Sequence, residues 1–157
     1  ISALALAACE TPPSDDPNAM GAGAGAGAGV YGDGAGVGPG SQSDLEQNVG
    51  DRVFFAYDSS VLSSSAQATL QRQAEWLKQY PNLNIVVEGH ADERGTRAYN
   101  LALGERRATA ARNYLVSQGI SPSRIETVSY GKERPAVLGS NERAWAQNRR
   151  AVTVISN

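Results

Sequence analysis

The stretch Gly89-His90-Ala91-Asp92-Glu93-Arg94-Gly95-Thr96, followed by Tyr99-Asn100 and by Leu103-Gly104-Glu105-Arg106-Arg107-Ala108, is the densest run of groups able to do chemistry in this chain. It lies where an alternating apolar pattern gives way to a loop and then to a helical period. At such a junction backbone N–H groups and the helix dipole are free to receive an anion. Asn100 and Arg107 stand about two helical turns or 10 Å apart and share a face, with Arg106 about a quarter turn away. Asp92, just past the strand, can approach the same face. A carboxylate, an amide and a guanidinium around one pocket suit a zwitterion that carries one ammonium and one carboxylate. Arginine grips a carboxylate through two parallel hydrogen bonds. The same residues have plainer readings, with Asp92 as a helix cap and Arg107 in an ion pair with Glu88 or Asp92.

Other chemistries find less support. His90 is the sole histidine and Cys9 the sole cysteine, so no disulfide forms within the chain and a zinc hydrolase would lack ligands. No metal and no cofactor are expected, and a lone histidine at a strand end reads as hydrogen-bonded and structural. Asp92, Glu93 and Glu88 keep a glycoside hydrolase open as an alternative, because two carboxylates can do that chemistry. The net charge of −2 hides an acidic front without Lys or Arg as far as residue 40 and a mildly basic remainder. So small a positive charge does not describe a nucleic-acid binder. Arg94, Arg106 and Arg112 read as solvated, and Trp76 and Trp145 as packing or surface anchors.

The elements that must position these groups follow from the periodicities. Arg52 to Phe55 reads as a first strand, and the serines at 63–65 supply an N-cap for a helix with Ala66, Leu70, Ala74 and Leu77 on one stripe, ended by Pro81. Leu83, Ile85 and Val87 alternate with Asn84, Val86 and Glu88 as a second strand. A second helix runs from about Ala98 to Gln118, with Gly119 as its C-cap. Ile125 to Tyr130 and Arg150 to Ser156 complete four strands, with a short helix near Ala144. The expected class is α+β in two layers: a mixed four-stranded sheet with helices packed on one face.

The front end reads differently. Ile1 to Ala8 is a small apolar run resembling the tail of an export signal, and Leu6-Ala7-Ala8-Cys9 resembles a lipobox, which makes Cys9 the expected lipid attachment site. The run is too short to span a membrane, which takes roughly 20 residues. Residues 9–44, with alternating Gly and Ala from Gly21 to Gly29, read as a disordered tether able to reach roughly 110–120 Å when extended, ahead of a domain over residues 45–157.

The stretches Gly89 to Thr96, Tyr99-Asn100, Leu103 to Ala108, Ser129-Tyr130-Gly131-Lys132-Glu133-Arg134-Pro135 and Asn148-Arg149-Arg150 are also similar to the signature stretches of the OmpA-like peptidoglycan-binding domain family. Within it they most resemble the lipoproteins of the Tol system. The resemblance runs from Val53 to Ile155 and implies an OmpA-like fold. It also implies an outer-membrane lipoprotein facing the periplasm that binds peptidoglycan non-covalently through the diaminopimelate of the stem peptide. Carried over, Asp92 accepts the ligand's ammonium, Arg107 clamps its carboxylate and Asn100 adds a hydrogen bond. Asp58 and Arg150 match positions lining the same cleft, although Val61 stands where a polar residue is usual. The implied partners are peptidoglycan, Tol-system envelope proteins and the outer membrane through lipidated Cys9, with a role in envelope integrity and cell division and no catalysis. A structural lipoprotein that binds partners without wall affinity remains a further alternative, favoured if Arg107 is tied up in an internal ion pair.

Overall fold

The computed structural model of the chain describes residues 37–157; Cys9, the expected signal remnant and the tether as far as residue 36 lie outside the described residues. Four strands and three principal helices follow the expected order. They are β1 (Arg52–Phe54), α1 (Ser64–Gln79), β2 (Ile85–His90), α2 (Arg97–Ser117), β3 (Ile125–Gly131), α3 (Glu142–Asn148) and β4 (Arg150–Ile155). In the sheet the order is β1-β4-β2-β3. β2 pairs parallel with β3 and antiparallel with β4, and β4 pairs antiparallel with β1. β1, β2 and β3 therefore all point one way. Their C-terminal ends gather along one edge of the sheet, with the start of β4 between the ends of β1 and β2.

The helices form where the sequence places apolar stripes between caps. Ser63 accepts a hydrogen bond from the Ala66 N–H at the start of α1, and Ala66, Leu70, Ala74 and Leu77 are buried along it as expected. In α2 the stripe is Leu103, Gly104, Ala108, Ala111 and Leu115, capped at its start by Thr96, whose hydroxyl accepts from the Tyr99 N–H at 3.1 Å. Both helices cover the same sheet face, where Val53, Ile85, Val87, Ile125 and Ala151 complete the core. Burying a leucine or isoleucine side chain there is worth about 1.5–3 kcal/mol. Arg52, Phe54, Arg150 and Glu88 occupy the opposite face, as the period of two requires.

Regular structure begins ahead of residue 45, the expected start of the domain. Ser41 caps a helical turn over Gln42–Asp44 that runs on into a π-turn over Leu45–Val49. The Gln42 side chain extends the pairing of β4: its Oε1 accepts from the Ile155 N–H at 2.9 Å and its Nε2 donates to the Thr153 carbonyl at 3.3 Å. Asp44 accepts from the indole N–H of Trp76 at 2.9 Å, and Trp76 is buried against Tyr80. A side-chain amide standing in for a strand neighbour leaves no periodicity in the sequence, and residues 37–44 carry no helical or strand pattern to separate them from the glycine-rich stretch before them.

Candidate functional site

A cavity of about 170 Å³ opens at the sheet edge where β1 and β2 end. The loop after β1 contributes Tyr57 and Asp58, the loop after β2 contributes Asp92, Arg94 and Gly95, and α2 contributes Tyr99, Asn100, Leu103 and Arg107. Four of the five residues expected to bind ligand thus meet in one place. Asn100 and Arg107 reach it on one helix face, as their spacing requires. Asp92 reaches it because β2 delivers the chain to that edge.

Asp92 is buried but heavily engaged. Its Oδ1 accepts from the Arg94 backbone N–H at 3.0 Å and from Arg94 Nε at 3.1 Å, and its Oδ2 accepts from Arg94 Nη2 at 2.8 Å. Burial pushes the carboxyl up, but the hydrogen bonds from Arg94 outweigh it and hold the group below the ordinary aspartate value. The cap of α2 is Thr96, so Asp92 caps the loop at Arg94 rather than the helix.

Arg107 is fully buried and does not pair with Glu88 or Asp92 through a hydrogen bond. Its Nε donates to the Ser59 carbonyl at 2.8 Å, Nη1 to that of His90 at 2.8 Å and Nη2 to that of Ala56 at 3.1 Å. A guanidinium carries five N–H bonds, so two remain for the cavity. Burial pushes its pKa down to about 10, opposed by the charge of Asp92, and it stays a cation at neutral pH. The amide of Asn100 donates to the Arg94 carbonyl at 2.9 Å, which leaves its oxygen as an acceptor. Asp58 sits in the left-handed region at φ 51° and accepts from the Tyr99 hydroxyl.

Arg150 is the exception. It does not line this cavity but donates to the carbonyls of Asn148 at 3.2 Å and Arg134 at 3.0 Å. Side chains alternate along a strand, and Arg150 falls on the open sheet face beside His90. Its neighbour Arg149 approaches the site instead. Arg149 Nε donates to the Phe55 carbonyl at 2.8 Å, Nη2 donates to Glu142 at 2.8 Å, and Nη1 lies 3.6 Å from Asp92 Oδ2.

Arg94 contributes to the site although its sequence context assigns it no role there. Arg94, which reads as solvated, has its guanidinium carbon 4.0 Å from the ring centroids of both Tyr57 and Trp145. Trp145 is held in turn by its indole N–H, which donates to Glu93 at 2.9 Å. The Asp92-x-Arg94 spacing was the available signal, since a residue two positions on is within reach of an aspartate side chain in a turn. His90 is buried, with Nε2 3.4 Å from Glu88, and burial together with Arg150, Arg134 and Arg52 pushes its pKa down to about 3. It is a neutral structural group. Among the described residues no cluster of three His, Cys, Asp or Glu side chains is placed to hold a metal ion.

Comparison with known proteins gives a consistent result. The model of the OmpA family matches residues 54–149. The chain is 61% identical over 115 residues to a peptidoglycan-associated lipoprotein of Agrobacterium fabrum, covering 73% of this chain and 65% of that protein. It is 60% identical over 116 residues to one of Mesorhizobium japonicum, covering 74% and 69%. The chain thus spans a little under two thirds of the Agrobacterium relative. Among solved structures, the peptidoglycan-associated lipoprotein from Burkholderia pseudomallei superposes with a TM-score of 0.67 at 43% identity, covering 75% of this chain and 96% of that one. The C-terminal domain of Helicobacter pylori MotB, at 21% identity and a TM-score of 0.64 over 68% of this chain, shares the fold.

Proposed function

The chain belongs to the OmpA family, and from that premise we propose that it is a peptidoglycan-binding lipoprotein that holds the wall non-covalently at the cleft between β1, β2 and α2. The observation that carries this reading is the meeting of a buried carboxylate, Asp92, with a buried guanidinium, Arg107, across one small cavity. Opposite charges at fixed positions select a zwitterion of matching length, and the diaminopimelate side chain, with its ammonium and carboxylate on one carbon, is such a group. Asp92 takes the ammonium and the two free N–H bonds of Arg107 take the carboxylate, while Asn100 and Asp58 accept further hydrogen bonds. Charge-assisted hydrogen bonds of this kind contribute about 1.5–3 kcal/mol each, and repeated stems in the wall add retention through high local concentration.

The lipobox-like Leu6-Ala7-Ala8-Cys9 supports an anchor in the outer membrane, with the domain facing the periplasm. The family resemblance supports work alongside the Tol system in envelope integrity and division. A wall-free structural role is favoured by an Arg107 locked in an ion pair. Its hydrogen bonds run instead to three carbonyl oxygens and to no carboxylate, which leaves two N–H groups for a ligand. Catalysis is disfavoured because Asp92 is ionised and engaged by an arginine fork, an arrangement suited to holding a cation rather than donating a proton.

The test is retention of the chain on insoluble sacculi, with soluble stem peptides as competitors. Peptides carrying diaminopimelate should release it, and the same peptides carrying lysine, which lacks the second carboxylate, should fail to do so at a tenfold higher concentration. Equal competition by both peptides, or release of soluble wall fragments, would overturn the reading.

A further inference from the structure

We infer that Arg94 is a built-in occupant of the cation seat at Asp92, and that an incoming ammonium or guanidinium group enters by displacing it from between Tyr57 and Trp145. The inference deepens the reading of Asp92 as the residue that takes the ligand's ammonium, and rests on it.

Arg94 makes the contacts that a bound cation would make. Its Nε and Nη2 lie on the two oxygens of Asp92 at 3.1 and 2.8 Å, and its guanidinium carbon is 4.0 Å from each of two aromatic rings. A carboxylate behind and a ring on either side form a slot for a small planar or tetrahedral cation. Among the described residues, Arg94 is the one cationic side chain that hydrogen-bonds Asp92; Arg149 Nη1 stops at 3.6 Å and, though buried, has no hydrogen-bond partner.

The slot also outlasts the departure of its occupant. The Arg94 backbone N–H holds Asp92 Oδ1 at 3.0 Å whichever way the side chain turns, and Trp145 is fixed by its bond to Glu93. Arg107 and Arg149 are tied to main-chain carbonyls and cannot leave. The Arg94 side chain keeps 29% of its surface exposed, and its guanidinium bonds only the Asp92 carboxylate, so it can swing into water. Arg94 thus sets a threshold: a ligand must outcompete an intramolecular guanidinium, which weak monovalent amines do not do.

Arg94→Ala in the whole chain tests this without reference to peptidoglycan. Methylguanidinium chloride should shift the Trp145 indole N–H resonance saturably in the variant and not in the wild type, with equimolar sodium chloride as control and the buried Trp76 indole as internal reference. Adding Trp145→Leu to that variant, and following instead the backbone N–H at position 94, should abolish the saturation. A linear response, or an equal one in the wild type, overturns the inference. Diaminopimelate stem peptides should bind Arg94→Ala at least roughly tenfold more tightly than the wild type, as removal of a competing charge-assisted pair requires. Weaker binding would make Arg94 a ligand contact instead. Arg94→Gln, which keeps a polar side chain without the charge, should behave like Arg94→Ala. Saturation by methylguanidinium with no peptide binding to either protein would leave the seat standing and remove the peptidoglycan reading.

Discussion

Gly89 in β2 and Gly104 in α2 meet backbone to backbone: a methyl group built on Gly89 would overlap the Gly104 carbonyl, and one on Gly104 would overlap the Ser129 hydroxyl. The contact fixes how closely α2, with Asn100 and Arg107, lies against the strand that delivers Asp92. Gly89→Ala cannot be relieved by moving a side-chain tip, because its methyl meets backbone, and Gly104→Ala would still meet the Gly89 carbonyl at 2.9 Å after the Ser129 hydroxyl had turned aside. Each should destabilise the fold by about 3 kcal/mol or more, read as a fall in the urea midpoint at constant slope. Unchanged midpoints would mean that the helix can slide, and with it the cleft.

Arg107 carries a structural duty beside its proposed binding one. Removing it leaves the carbonyls of Ala56, Ser59 and His90 without their donor, that of His90 fully buried and the other two partly so. Arg107→Ala should therefore lower stability by about 3–5 kcal/mol. Chemical denaturation without ligand checks this, and a loss below about 1 kcal/mol would show that water replaces the guanidinium freely.

At Asp58 stability and binding should separate. The residue holds a left-handed backbone at φ 51°, a conformation that costs a non-glycine residue about 1–2 kcal/mol. Asp58→Gly relieves this and should leave the fold as stable or slightly more so, while the loss of its carboxylate and of the Tyr99 bond weakens retention on sacculi. Asp58→Asn, which tolerates the same backbone, isolates the charge. Parallel melting curves and pull-downs would check both, and a glycine variant that melts much lower would contradict the assignment of strain.

The buried imidazole of His90 makes stability depend on pH. Its pKa is about 3 in the folded chain against 6.5 for the free side chain, so between these values the unfolded chain binds a proton that the folded chain refuses. The contribution is complete above pH 6.5 and is lost as the pH falls towards 3, at up to about 1.4 kcal/mol per pH unit. Urea unfolding between about pH 7.5 and 5 should show this slope. His90→Phe, which keeps a ring near Tyr130, should flatten it; an unchanged slope would assign the effect to the carboxylates.

Wherever the chain is periodic, the architecture can be read from its letters. Leu70, Ala74 and Leu77 declare a helix, Ile85 and Val87 a strand, and Asn100 and Arg107 a shared face, because each pattern is local and repeats. What escaped reading depends on partners far away in the chain. Arg149 finds its place through the carbonyl of Phe55, 94 residues earlier, and Gln42 through the amide of Ile155, 113 residues later. Arg150 is expected at the cleft from the resemblance of Asn148-Arg149-Arg150, but as the first residue of β4 it falls on the face away from the helices, and Arg149, just before the strand, reaches the site instead. Arg94 was missed for a different reason: in composition, a loop arginine between two aromatic rings looks the same as one in water.

The attachment of Gln42 to the Ile155 end of β4 places the point where the chain joins the domain at one end of the sheet, while the cleft lies beyond His90 at the other. The two are separated by the length of β2, about 17 Å. A pull between them runs along the strands rather than across them. The chain enters the sheet through β1, so the rungs of the β1–β4 ladder, and of the β2–β4 ladder beyond it, then carry load side by side, in shear, and several hydrogen bonds must fail together before the domain gives way. A pull from the edge of the sheet would open the same rungs one at a time. The mechanical strength of the domain therefore depends on where it is held.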